Sequence, residues 1–482
     1  MTPAPIRPDA SDETDTIGVG AVTLVLLVLL ALLVLPGVAQ APARDGAYRG
    51  YVAARLADDG SLEVVRQSNA DRLFVPASVL KIVTVAATLE HLGPGYRWTT
   101  RVTSAAAIDD SRLTGDLILE PGADPTWNTV LRETSADGAL RDLARGVRAH
   151  GITRVGGDLV VAAGRFPGRM HPVDRGYGDL PFRYGTPPAA LALDDATVPV
   201  RVAPGSGLGA PAVVETPTGL EVVNLTTTVG RDRDGAGTLD FVPVWDTDTL
   251  LLRGEYPIGE PAFTVDATDP APVWRAARRL RAALADAGVT VDGDVVVRRD
   301  APAGDRTLAE VRSPPLSEVL PRVLRESHNW TADMLALTLG FEVAGSGRFD
   351  DGVAVVGDFA TRVLDQQGIP TVEARLEDGS GLSPGNLLTP RAIVGVLAYA
   401  LGRPWGPALL DALGGPGEGT LESWPPLPAL AGKTGTLQHT VGLAGVLRHE
   451  SDDPILFCYL VNHHSGPAAV ARREIAAALG RW

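Results

Sequence analysis

Two lysines are the residues of this sequence whose type and placement most clearly suggest chemistry. Lys81 and Lys433 are the only lysines in 482 residues, and the other 41 of the 43 basic residues are arginines. Arginine stays protonated, whereas a buried lysine can lose its proton and act as a base. Two lysines could persist by chance in an arginine-rich composition, but the neighbours of both favour a chemical role.

Lys81 has a potential nucleophile beside it in the sequence. Ser78 lies three residues upstream, and this spacing places both side chains on one face of a helix. The amine can then accept the proton of the hydroxyl group, as a base does for a nucleophile. Burial and a second nearby cation would lower the pKa of the Lys81 amine, and Lys433 is the expected second cation.

The elements that position these residues can be predicted from the apolar pattern. Pro76 suits a first helical turn and Gly93-Pro94 would end the helix, so Ser78 and Lys81 are expected in its first two turns. Free backbone N–H groups there favour developing negative charge. Two strands before this helix, and two strands and a helix near the C-terminus, are expected to bring both chain ends into one sheet. These segments are 51–56, 62–67, 441–447, 455–461 and 467–479.

The middle of the chain, residues 106–300, is rich in proline and glycine and is predicted to form inserted domains. One pattern occurs there twice. Gly151-Ile152-Thr153 and then Gly157-Asp158 are echoed by Gly288-Val289-Thr290 and then Gly293-Asp294, each followed by three apolar residues. Two related helix–strand units or an ordinary helix–strand junction both explain the pattern, and two copies are too few for a solenoid.

Three short motifs follow one another along the chain: Ser78-Val79-Leu80-Lys81, Ser327-His328-Asn329 and Lys433-Thr434-Gly435. The ordered set resembles the penicillin-recognising serine enzymes. The long gap after the first motif, and the block Asp378-Gly379-Ser380-Gly381-Leu382-Ser383, are similar to the class C low-molecular-mass penicillin-binding proteins. These are D-alanyl-D-alanine carboxypeptidases and endopeptidases, and the resemblance runs from about residue 48 to the C-terminus.

The resemblance implies an α+β fold. We expect a serine β-lactamase/transpeptidase-like catalytic domain, an antiparallel sheet flanked by helices, built from residues 46–105 and 301–482. Smaller mixed α/β domains would be inserted over 106–300, with outer parts at about 106–170 and 265–300 and an inner part at about 171–264. Residues 1–45 are expected to be a cytoplasmic tail with a signal peptide or membrane anchor, because 17–35 are apolar and uncharged. The body would then be extracytoplasmic, secreted or anchored to the cell membrane.

The same resemblance implies roles for the first two motifs. Ser78 would attack the substrate carbonyl and become acylated, with Lys81 as the general base. Ser327 would relay a proton to the leaving amine. Asn329 would hold Lys81 and the substrate backbone.

The third motif is expected on an edge strand, against which the substrate lies like an added strand. Thr434 and Thr436, with Lys433, would receive the substrate carboxylate, and Gly435 would leave room for the substrate backbone. The resemblance places the oxyanion hole at the backbone N–H groups of Ser78 and Thr436. No metal or cofactor is needed.

Some positions depart from this pattern or compete with it. His328 stands where asparagine is frequent and Pro384 where a basic residue is common. We interpret both as changes that adjust the site without loss of activity. Gly381 to Gly385 also fits the G-x-S-x-G elbow of α/β-hydrolases, but Pro384 lacks the N–H that would serve an oxyanion, so Ser383 is predicted to be a decoy. Cys458, in an apolar run, is expected to be a small buried hydrophobe.

Bulk charge and missing motifs limit the possible functions. A net charge of −15 disfavours nucleic acid and anionic membrane surfaces as partners. Peptidoglycan stem peptides and β-lactams are the expected ligands. A carboxypeptidase or endopeptidase is favoured over a β-lactamase, because no Glu-x-x-Leu-Asn is present to place a deacylating water, and over a silent binding protein, because both lysines are kept.

Overall fold

The computed structural model describes residues 46–482 apart from 58–60, 133–135, 171, 173, 218, 231–237, 302–303, 370–373 and 448–453. Within these described residues no helix is both long and apolar enough to cross a bilayer. The predicted apolar segment at 17–35 lies outside them. Residues 47–482 form one compact unit.

The strands are β1 (Tyr48–Leu56), β2 (Leu62–Ser68), β3 (Thr99–Ser104), β4 (Ile108–Asp109), β5 (Arg112–Leu113), β6 (Leu117–Glu120), β7 (Arg154–Val155), β8 (Leu159–Ala162), β9 (Thr197–Ala203), β10 (Val213–Glu215), β11 (Glu221–Val229), β12 (Asp240–Val244), β13 (Thr249–Pro257), β14 (Phe263–Thr268), β15 (Thr290–Val291), β16 (Val295–Arg298), β17 (Arg306–Arg312), β18 (Leu430–Leu437), β19 (Thr440–Leu447) and β20 (Ile455–Asn462). The α-helices are α1 (Lys81–Leu92), α2 (Ala136–Ala149), α3 (Pro272–Asp286), α4 (Leu316–Leu324), α5 (Asn329–Glu342), α6 (Phe349–Gln366), α7 (Pro390–Leu401), α8 (Gly406–Ala412) and α9 (Ala468–Leu479).

Strands from the beginning and the end of the described part of the chain form one antiparallel sheet, as predicted, in the order β18-β19-β20-β1-β2. Both faces are covered, and this explains why β19 and β20 are buried along their whole length. Because side chains alternate across a strand, Val52 packs towards α1 and α7 while its neighbour Ala53 packs towards α9. Cys458 is buried in the first of these cores, as expected.

Helix α1 is the central helix of this region. A 3₁₀ turn, Ala77–Leu80, leads into it, and the helix ends at Gly93, whose φ is +73°. Every residue from Lys81 to Leu89 is buried. A helix that is apolar on all sides is stable only inside a core, so the sequence pattern and the burial agree.

A second five-stranded sheet, with the order β16-β8-β6-β3-β17, has its own apolar core under α2 and α3. Its strands β3 and β17 lie just outside the predicted insertion at 106–300. The inner part of that segment forms two three-stranded sheets, ordered β10-β9-β14 and β11-β13-β12, around a small core that contains Val200 and Leu250.

The repeated glycine–aspartate pattern lies side by side in this second sheet. Strands β8 and β16, which follow the two copies, pair in parallel. The structure also contains a third copy, Gly115-Asp116, which precedes β6, the other parallel neighbour of β8. Asp116 Oδ1 accepts from Asp158 N and Asp158 Oδ1 accepts from Asp294 N, both at 2.9 Å. Asp116 and Asp158 therefore each fix the position of the next copy in the sheet.

Candidate active site

The turn that carries Ser78 is held from two sides by glycines. Gly381 has a φ of +77°, and a Cβ there would lie 2.0 Å from Ala77 O. On the other side, a Cβ at Gly435 would lie 2.8 Å from Pro76 O. The missing side chain lets β18 approach the Ser78 turn closely. The expectation that Gly435 also leaves room for the substrate backbone stays a prediction.

Lys81 lies directly behind Ser78 and is completely buried. Its Nζ donates to three oxygens: Ser78 Oγ at 2.9 Å, Asn329 Oδ1 at 2.7 Å and Ser380 O at 2.6 Å. Three acceptors saturate an ammonium group, whereas a neutral amine would have a lone pair facing one of them. The geometry therefore fits proton exchange between Lys81 and Ser78.

Burial lowers the pKa of Lys81 to about 7, although the carboxylates of Asp333 and Asp378 oppose this change. The guanidinium of Arg175 adds to the lowering. Arg175 was not predicted as a cation beside Lys81, and the expected part of Lys433 as the second cation stays a prediction. For Lys433, burial and the charge of Lys81 together lower the pKa well below its usual value.

Arg175 belongs to a buried ion cluster behind Lys81. Its Nη2 donates to Asp333 Oδ2 at 2.7 Å and to Asp378 Oδ2 at 3.0 Å, and all three side chains are inaccessible to solvent. Asp333 lies one turn after Asn329 on α5, and Asp378 opens the loop whose Ser380 carbonyl receives Lys81. Backbone N–H groups of Gly381 and Ser383 donate to Asp378, so the cluster also shapes this loop.

The Ser327-His328-Asn329 motif forms a turn that begins α5. Ser327 has a φ of +64°, which is rare for a non-glycine residue. His328 caps the helix by accepting from Thr331 N, and burial lowers its pKa well below the usual value, so its ring is neutral. Asn329 Nδ2 donates to Tyr184 O at 2.8 Å, and this bond turns Oδ1 towards Lys81.

Strand β18 carries the third motif and is the edge strand of its sheet, as predicted. Lys433 is buried and its Nζ donates to Thr434 O at 2.8 Å. Thr434 Oγ1 donates to Thr420 Oγ1 at 2.6 Å, and Thr436 is exposed.

A cavity of about 250 Å³ lies where these elements meet. Four of its lining residues were predicted from sequence: Ser78, Ser327, Thr434 and Thr436. The other four were not, since no motif marks them: Thr420, Ser423, Trp424 and Arg472. Lys433 does not line it.

The serine of the competing G-x-S-x-G motif, Gly381 to Gly385, has a structural environment and not a catalytic one. Ser383 is fully buried, and its Oγ donates to Asp174 Oδ2 at 2.6 Å. A hydroxyl group that is enclosed and bonded in this way cannot meet a substrate, so the sequence-based rejection of Ser383 was correct.

Comparisons with known proteins agree with this geometry. Residues 36–482 match the family described as D-Ala-D-Ala carboxypeptidase 3 (S13), and the chain belongs to that family. It is therefore a serine-type peptidase, a hydrolase with the class of fold expected from its motifs.

Two relatives illustrate the similarity. The D-alanyl-D-alanine carboxypeptidase of an Actinomadura species is 31% identical over 90% of this chain and 81% of its own length. The D-alanyl-D-alanine carboxypeptidase DacB of Haemophilus influenzae is 25% identical over 87% of this chain and 86% of its own. A crystal structure of penicillin-binding protein 4 (dacB) from H. influenzae has a TM-score of 0.77 at 24% identity, covers 88% of this chain and 92% of its own, and shows the shared fold.

Proposed function

We propose that the protein releases the terminal D-alanine from peptides that end in D-Ala-D-Ala, through an acyl-enzyme on Ser78 with Lys81 as the general base. The observation that carries this proposal is the 2.9 Å contact between Lys81 Nζ and Ser78 Oγ in a buried site, where the pKa of the lysine is about 7. A base works best when its pKa lies near the working pH.

In the proposed acylation, neutral Lys81 takes the hydroxyl proton of Ser78 while Oγ attacks the carbonyl carbon of the penultimate D-alanine. The tetrahedral intermediate then breaks its C–N bond. The leaving amine receives a proton through Ser327, and D-alanine departs. Water attacks the ester, with Lys81 again as the base, and Ser78 is regenerated.

The substrate would bind along β18, because an edge strand offers unpaired backbone groups to an extended peptide. Thr434 and Thr436 would hold its carboxylate with Lys433. A bound carboxylate would favour the charged form of Lys433, whose pKa is otherwise lowered. Backbone N–H groups of Ser78 and Thr436 would stabilise the oxyanion, and one such donor is typically worth about 3 kcal/mol of barrier.

The natural ligands would be peptidoglycan stem peptides, with β-lactams as inhibitors that acylate the same serine, and the body would lie outside the cytoplasm. The H. influenzae protein has been crystallised with a β-lactam, which supports the choice of inhibitor class. We also infer a catalytic domain with an insertion. The pairing of β3 with β17 in the second sheet favours insertion boundaries near 98 and 313, rather than 105 and 301.

Intact-mass analysis with penicillin tests the proposed nucleophile. We expect a long-lived adduct on the purified protein and none on Ser78→Ala. Rapid turnover of the drug would indicate a β-lactamase, and no adduct would indicate a silent scaffold. Release of D-alanine from a pentapeptide that ends in D-Ala-D-Ala tests the reaction itself, and its absence despite drug binding would reject the carboxypeptidase assignment.

A further inference from the structure

The active-site cavity contains a cation that the three motifs do not include. Arg472 lies on α9, far from the motifs in sequence, yet it lines the same cavity of about 250 Å³ as Ser78 and Thr434. Its Nη1 donates to the neutral hydroxyl of Ser423 at 3.2 Å, and its guanidinium lies 5.8 Å from the centre of the Trp424 ring.

No carboxylate of the described residues pairs with Arg472. Its Nε is buried and has no hydrogen-bond partner there either. A guanidinium that lines a ligand cavity beside Ser78 and has no carboxylate partner among the described residues favours an anionic ligand there. A carboxylate matches the planar donors of a guanidinium better than it matches an ammonium group.

The expected carboxylate receptors do not supply this charge to the cavity. Lys433 Nζ is turned to Thr434 O, and Lys433 does not line the cavity. The hydroxyl groups of Thr434 and Thr420 bond to each other, and both are neutral. Arg472 is therefore the cation that faces a ligand held next to Ser78.

We propose that Arg472 joins Thr434 and Thr436 in binding the free carboxylate of the residue that follows the scissile bond, and so makes that carboxylate a requirement for substrates. The inference rests on the proposed acylation of Ser78. The cavity is smaller than the roughly 300–1,000 Å³ of common small-molecule pockets, which suits one small terminal residue such as D-alanine.

The test compares an N-acetylated peptide that ends in D-Ala-D-Ala with the same peptide as its C-terminal amide. Release of D-alanine or D-alaninamide is followed by mass spectrometry. The wild-type protein should cleave the acid with a kcat/KM roughly 10- to 100-fold above that of the amide, as expected for a charge-assisted hydrogen bond. Arg472→Gln should lose this preference by slowing only the acid, and Arg472→Lys should restore part of it.

Arg473→Gln is the matched control, because Arg473 is the adjacent residue on α9, carries the same charge and is exposed. It should leave both rates unchanged. Equal cleavage of acid and amide by the wild-type protein would overturn the inference even if no Arg472 variant folds. Equal losses on both substrates in a folded Arg472→Gln protein would also overturn it. Failure of the wild-type protein to cleave either peptide would instead reject the proposed reaction and this inference with it.

Discussion

The arginines on the two sides of the candidate active site have opposite electrostatic environments. Behind Ser78, Arg175 is inaccessible to solvent and binds two carboxylates, those of Asp333 and Asp378. In front of Ser78, Arg472 lines the cavity and has no carboxylate partner among the described residues. The same side-chain type is neutralised on one side and left available on the other.

This difference separates two tasks. The charges of Arg175, Asp333 and Asp378 behind Ser78 oppose one another, and together with burial they influence the pKa of Lys81. A charge in front of the nucleophile is left for a ligand to balance. Because Arg175 comes from the middle of the chain and not from the strands and helices around Lys81, the predicted inserted region contributes to the electrostatics around Lys81.

The largest effect should come from Lys81→Arg, which keeps the positive charge and removes the base. Arginine stays protonated, so it cannot take the Ser78 proton. We expect acylation by penicillin to slow by roughly 10²- to 10⁴-fold, the usual contribution of a general base. Stopped-flow or intact-mass kinetics would measure the rate, and thermal unfolding would check the fold. A variant that acylates at the normal rate would remove Lys81 from its proposed role.

A smaller effect should appear in the pH dependence of acylation. The reactive form has neutral Lys81, so the rate should rise as pH increases through about 7. Removal of the nearby cation in Arg175→Met should raise the pKa of Lys81 and move this rise to higher pH. Asp333→Asn should move it to lower pH. When the rise moves by about one pH unit, the rate on the acidic side changes about tenfold.

The double variant separates electrostatics from packing. Arg175→Met with Asp333→Asn removes one charge of each sign, so its profile should return towards that of the wild-type protein. Arg253→Met, which breaks an exposed ion pair with Asp240, should leave the profile in place. If the single variants fold, lose activity and keep the pH profile of the wild-type protein, the cluster has a structural role only and does not set the pKa of Lys81.

The smallest expected effect concerns the loop that begins at Asp378 and contacts the Ser78 turn through Gly381. Gly381→Ala would force a side chain at a φ of +77° and place Cβ 2.0 Å from Ala77 O. Strain of this kind typically costs about 1–3 kcal/mol, and the Ser78 turn should shift. Gly417→Ala is the matched control, because Gly417 has a φ of +81° and nothing within 4 Å of its Cβ position. Chemical denaturation should show a larger loss in the free energy of unfolding for Gly381→Ala than for Gly417→Ala. Equal losses in the two variants would contradict this account of the loop.

Sequence reasoning found the residues whose identity the chemistry dictates. The scarcity of lysine, the three-residue spacing from Ser78 to Lys81, and the ordered motifs predicted the family and the sheet built from both chain ends. It found only two copies of the glycine–aspartate unit. The third, at Gly115-Asp116, follows a short strand rather than a helix, so the helix–glycine signal is absent there.

The sequence by itself predicted the proposed nucleophile, its proposed base and the edge strand, because these depend on local spacing and on side-chain types that cannot be exchanged. Only the tertiary structure decided how the charges are balanced. Arg175 and Arg472 are two of 41 arginines, and nothing in their neighbouring residues distinguishes them. Their roles depend on which carboxylates lie within a few ångströms and on how much water is excluded, and residues far apart in the chain set both.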